Sequence, residues 1–91
     1  MTVFDEVQKE VKRAREMFYP MNSPHEALAV IMEEFDEYKQ EVYQHNLFKN
    51  RDTRLRQREE LIQLAAMALR AVLDTIDEED PAFPQVKKNG Q

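Results

Sequence analysis

The run Leu61-Ile62-Gln63-Leu64-Ala65-Ala66-Met67-Ala68-Leu69 is apolar on nearly every side when wound as a helix, and a helix apolar all round belongs at the centre of its bundle. Its small residues Ala65, Ala66 and Ala68 let a neighbouring helix approach closely. No stretch of the chain alternates β-branched and polar residues as a half-buried strand does. The fold expected is therefore all-α, with other helices packed around this one.

Two further helices read clearly. Phe4, Val7, Val11, Ala14 and Phe18 recur at steps of three and four, with Asp5, Glu6, Lys9, Lys12 and Arg13 outside that stripe, the pattern of an amphipathic helix over about 3–18. Pro20 ends it, because proline cannot continue a helix and pushes the residue before it toward extended backbone. Ser23-Pro24-His25-Glu26 then combines a Ser N-cap, a proline at the first helical position and a Glu placed to close a capping box. That helix is expected to run to about His45, stopped by Asn46, with Leu28, Ile31, Phe35, Tyr38 and Val42 as its buried stripe. Lys49 to Arg54 suits a loop, with Asp52 or Thr53 capping a third helix from about Arg54 to Ile76. Asp77-Glu78-Glu79-Asp80-Pro81 ends the pattern, and residues 79–91 are expected to form a tail, with Phe83 able to dock on the bundle. The reading is one helical domain over 1–78. A chain of 91 residues buries only about 60–65% of the surface its unfolded chain exposes, so pairing with a second copy, as a homodimer or a dimer of dimers, is expected to complete the bundle.

Composition narrows the chemistry. The lone glycine, Gly90, cannot build a Gly-rich phosphate loop, and with no cysteine there is no thiolate metal site and no disulfide. A net charge of −5 gives a nucleic-acid backbone no general electrostatic attraction. No apolar run approaches the roughly 20 residues that cross a bilayer, and no export signal is visible at the start. A soluble, cytoplasmic protein without nucleic-acid or membrane partners is expected.

What remains for chemistry is carboxylate on helices. Glu33-Glu34-Phe35-Asp36-Glu37 and Glu41 lie on the second helix. Glu34, Glu37 and Glu41 stack along one line beside the apolar stripe, where like charges at such steps repel. Glu60 and Gln63 share a face of the third helix. Brought together, Glu34, Glu37, Glu60 and the Gln63 carbonyl make a cluster of oxygens suited to a hard cation such as Mg²⁺ or Mn²⁺. Their oxygens should converge within about 5–6 Å if one ion is to be shared.

These residues resemble the signature of the all-α NTP pyrophosphatases, the MazG-like proteins in particular: E-E-x-x-E on one helix and E-x-x-D on the next. Glu33, Glu34 and Glu37 match the first half, and Glu60-Leu61-Ile62-Gln63 matches the second with Gln in place of Asp. The resemblance covers the two later helices. It implies Mg²⁺-dependent hydrolysis of a nucleoside triphosphate, ribo or deoxy, to the monophosphate and pyrophosphate, in the service of clearing surplus or noncanonical nucleotides. It further implies Glu34, Glu37 and Glu60 as metal ligands, Gln63 at the fourth ligand position, and Glu33 orienting or activating the water, so that Glu33, Glu34, Glu37 and Glu60 form the catalytic set. Lys39, Arg54 and Arg58, on and around the basic stretch between the motifs, are the candidates for triphosphate contact. Phe4, Phe18 or Tyr19 would line a base pocket if the first helix closes over the site. Arg70, set in the apolar helix, is expected to pair with Glu34 or Asp74, and Asp74 or Asp77 are the acids that could replace the charge missing at Gln63. The alternative is a catalytically weak or inactive helical dimer that binds metal, nucleotide or another protein.

Overall fold

The computed structural model describes residues 1–48 and 51–77, with side chains described except at 46–48 and 51. Three helices follow one another: α1 (Val3–Met17), α2 (Pro24–Phe48) and α3 (Arg51–Thr75), with no strand among the described residues. The first two starts have local causes. At α1 the Thr2 hydroxyl accepts from the Asp5 amide at 3.1 Å while the Asp5 carboxylate accepts from the Thr2 amide at 3.0 Å, a complete capping box. At α2 the Ser23 hydroxyl accepts from the Glu26 amide at 3.1 Å. The expected return bond goes elsewhere: Glu26 accepts from the Asn22 amide at 3.3 Å, one residue before the cap.

Two boundaries differ from the sequence reading. Asn46 does not stop α2, which continues to Phe48, and α3 begins at Arg51, ahead of Asp52 and Thr53. Thr53 is not a cap. It is buried, and its hydroxyl lies 2.6 Å from Nδ1 of His45 on α2, so packing between the two helices overrides local stop signals worth about 1 kcal/mol or less. Residues 79–91, including Phe83, lie outside the described residues.

Helices α2 and α3 run antiparallel, as the facing pairs His45 with Thr53 and Glu41 with Arg56 record. Helix α1 lies along α3 in parallel, rather than on α2: Glu6 meets Arg58 and Arg15 meets Asp74. The central helix of the chain is thus α3, as its apolar run requires. The core between the three is thin. Among the described residues its eight buried apolar side chains are Val11, Ala14, Met21, Ala27, Ala66, Met67, Ala71 and Leu73, half of them alanine.

The stripe expected to be buried on α2 is only partly so. Ile31, Tyr38 and Val42 are half-buried, but Leu28 and Phe35 are 55% and 51% exposed. Within one chain α2 turns Ala27, Val30, Ile31 and Glu34 toward α3, a face rotated from the heptad-spaced stripe. On α1, Val11 and Ala14 are buried as expected, while Phe4 at the first turn is 81% exposed.

A charged cluster locks the α1–α2 connection to α3. Asp74 is buried between two buried guanidinium groups, 3.4 Å from Nη2 of Arg15 and 3.4 Å from Nε of Arg70. Its carboxylate also accepts from the Met21 amide at 3.0 Å, while Arg70 donates to the Tyr19 carbonyl at 2.7 Å and lies under the Phe18 ring. Of the two partners anticipated for Arg70, the structure selects Asp74. That acid is therefore committed here and supplies no substitute charge at Gln63.

Candidate metal centre

The antiparallel register that sets Glu41 beside Arg56 also sets Glu37 opposite Glu60, one turn further from the α2–α3 connection. Glu34, a turn before Glu37, reaches the same place. One carboxylate oxygen from each of Glu34, Glu37 and Glu60 can be chosen so that all three lie within 4.8 Å of one another, inside the convergence the sequence reading required. Glu34 and Glu60 are half-buried.

Such a grouping is electrostatically unfavourable when empty. The Glu34 carboxyl is pushed up from 4.5 to about 7, first by burial and then by the neighbouring Glu37 and Glu60 charges. Glu60 is also pushed up, by burial and by its contact with Glu37. Two carboxyl groups bond to one another only through a proton, or share a cation in its place. In addition, Oε2 of Glu34 and Oε2 of Glu60 are shut off from solvent with no hydrogen-bond partner. Buried acceptors without a donor are uncommon and costly in a native structure, and a cation would satisfy both.

The residues present fit a hard divalent ion. All the donors are oxygen, the preference of Mg²⁺ and Mn²⁺. Oxygens on one Mg²⁺ ion stand about 3.0 Å apart when adjacent and about 4.2 Å when opposite, so the trio needs to close by up to about 2 Å, within reach of side-chain rotation.

The remaining expected residues distribute unevenly. Glu33 is exposed, next to the cluster and close enough for its charge to raise Glu34. Glu41 is drawn off by Arg56, 2.9 Å away. Gln63 is half-buried, and its side chain faces Glu10 of α1 closely enough to lower that carboxyl. An ionised carboxylate only accepts, so the Gln63 amide nitrogen is the group suited to face Glu10 and the carbonyl oxygen the group with ligand character. Glu10 is itself held below the usual carboxylate range, chiefly by Arg13, whose guanidinium grips both of its oxygens.

Glu10 is the residue that sequence reasoning missed. It belongs to a helix with no signature motif, and only the parallel packing of α1 on α3 brings it to Gln63. The three basic candidates sit at the surface: Arg54 and Lys39 are exposed, with the Lys39 ammonium 5.7 Å from the Tyr43 ring centre, and Arg58 donates to Glu6 at 2.8 Å. Phe18, one of the aromatic residues considered for a base pocket, is engaged with Arg70.

No family model matches the chain, and neither a curated protein nor a solved structure does so.

Proposed function

We propose that the chain, as a homo-oligomer, is a metal-dependent nucleoside triphosphate pyrophosphohydrolase. A water oxygen bonds to the α-phosphorus as the bond from that phosphorus to the α–β bridging oxygen breaks, giving the nucleoside monophosphate and pyrophosphate. The observation that carries this reading is the cluster of Glu34, Glu37 and Glu60 from two helices, with buried oxygens of Glu34 and Glu60 left unpaired. The E-E-x-x-E and E-x-x-Q spacing supports it.

In this reading Glu34, Glu37 and Glu60 hold Mg²⁺ or Mn²⁺, and Gln63 adds its carbonyl oxygen at the fourth position. A cation held there supplies charge neutralisation for the phosphates and a more acidic bound water. Glu33, exposed at the edge of the cluster, orients the attacking water and accepts its proton. Lys39, Arg54 and Arg58 meet the phosphates, and Arg58 must leave Glu6 to do so.

The test is pyrophosphate release from a panel of NTPs and dNTPs with Mg²⁺ or Mn²⁺. Release by the natural chain that disappears in Glu37→Ala supports the proposal. The neutral Gln63 favours a second reading, a module that binds metal or nucleotide with weak or no turnover. Cation binding without pyrophosphate release, restored to turnover by Gln63→Asp, would select that reading. A chain that binds no cation and releases no pyrophosphate would overturn both.

A further inference from the structure

The register that sets Glu37 against Glu60 continues one turn further along both helices. Glu41 stands four residues after Glu37 and Arg56 four residues before Glu60, so each lies on the same face of its helix as the cluster member, about 6 Å along. Nε of Arg56 donates to Oε2 of Glu41 at 2.9 Å. The Glu41 charge is among those that push Glu60 up, which places this second rung inside the field of the acidic cluster.

A guanidinium has five N–H donors in a flat fork, and Nε accounts for one of them. The four on Nη1 and Nη2 of Arg56 make no hydrogen bond among the described residues, and the side chain is 45% exposed. The three surface cations considered above are turned elsewhere. Lys39 and Arg58 stand two residues from Glu37 and Glu60, about 160° round their helices, and Arg54 is about 120° round from Glu60. Of Lys39, Arg54, Arg56 and Arg58, Arg56 is the one on the side of the cluster.

We infer, on the reading proposed above, that Arg56 grips the phosphate chain of a substrate seated on the cation, donating from its Nη edge to non-bridging oxygens while Glu41 holds it by Nε. Charge supplies the reason. Three carboxylates outweigh one divalent ion, so a loaded cluster stays negative and repels a polyphosphate unless a cation stands beside it. A guanidinium also meets phosphate oxygens two at a time, in the plane of its fork. Lys39, Arg54 and Arg58 reach such a chain only around their helices, whereas Arg56 reaches it along them.

Calorimetric titration of the full chain with inorganic tripolyphosphate, in excess Mn²⁺ or in none, tests this, with Mn²⁺ affinity measured separately. Arg56→Gln should weaken Mn²⁺-dependent tripolyphosphate binding at least tenfold. Its Mn²⁺ affinity should be equal or higher, because a positive charge beside the carboxylates has been removed; a merely structural role would lower both affinities together. Arg56→Lys, which keeps the charge but not the fork, should fall between the two. Equal Mn²⁺-dependent anion binding by Arg56→Gln and the natural chain overturns the assignment of Arg56 alone, as does a parallel loss of Mn²⁺ affinity. A natural chain that binds tripolyphosphate no better with Mn²⁺ than without overturns the pyrophosphohydrolase reading and the assignment with it. Should Arg56→Gln unfold by circular dichroism, Arg56→Lys decides: a loss of at least threefold supports Arg56, and unchanged affinity overturns it.

Discussion

Replacing Glu34 by Gln should make the cation-free protein more stable near pH 8 and leave it nearly unchanged near pH 4.5. Burial and two neighbouring carboxylates raise this carboxyl from 4.5 to about 7 in the folded chain. Below about pH 4.5 both folded and unfolded chains hold the proton, and there is no penalty. Between the two values the unfolded chain releases the proton and the folded chain retains it, so stability falls as pH rises. Above pH 7 both are ionised and the loss is complete. At roughly 1.4 kcal/mol per tenfold change the full displacement corresponds to about 3 kcal/mol, and solvent screening at this half-open site reduces it to ~1–2 kcal/mol. For a domain of this size that is a rise of about 5–10 °C in melting temperature for Glu34→Gln at pH 8. The assay is thermal unfolding by circular dichroism at pH 4.5 and pH 8, with chelator, at one fixed protein concentration because association shifts the midpoint. Comparing variant with natural chain cancels the other titrating groups, including Glu6 and Glu10, whose carboxyls are lowered by Arg58 and Arg13 and favour stability in the opposite direction. A Glu34→Gln protein no more stable than the natural chain at pH 8 refutes the reasoning.

Asp74→Ala removes the carboxylate shared by two buried guanidinium groups and the Met21 amide, so a loss of about 3–5 kcal/mol is expected, read by urea unfolding; a loss below about 1 kcal/mol would show that the cluster does not fasten α1 and its connection to α3. Glu10→Ala removes the carboxylate that faces Gln63 and should weaken Mn²⁺ binding several-fold, about 1 kcal/mol, by calorimetric titration; unchanged affinity would exclude α1 from the site.

Much of this arrangement was legible in the sequence, for identifiable reasons. Pro20 and the Ser23-Pro24 start act through backbone geometry that no tertiary contact can reverse, and the first helix ended and the second began where they stand. Asn46 and Thr53 failed as boundary signals because their preferences are small beside the packing of two 25-residue helices. The Thr2-to-Asp5 capping box was readable from its spacing and was missed.

Leu28 and Phe35 show a deeper limit. Their heptad spacing marks an apolar face, but periodicity does not say which neighbour covers it, and α3 of the same chain takes the face next to it. The glutamates gave the converse result. Repulsion along Glu34 and Glu37 signalled a missing partner, and the fold adds Glu60 to the same point. Glu10 could not be read, since its link to Gln63 depends on how α1 lies along α3.

The central claim is that Glu34, Glu37 and Glu60 jointly hold a divalent cation, and Mn²⁺ titration followed by electron paramagnetic resonance at pH 7.5 tests it most directly. Saturable loss of the free Mn²⁺ signal is expected at about one ion per chain for the natural protein, strongly weakened in Glu37→Ala and absent in the variant with all three glutamates changed to Gln. Retention of Mn²⁺ by the triple variant, or none by the natural chain, would contradict it.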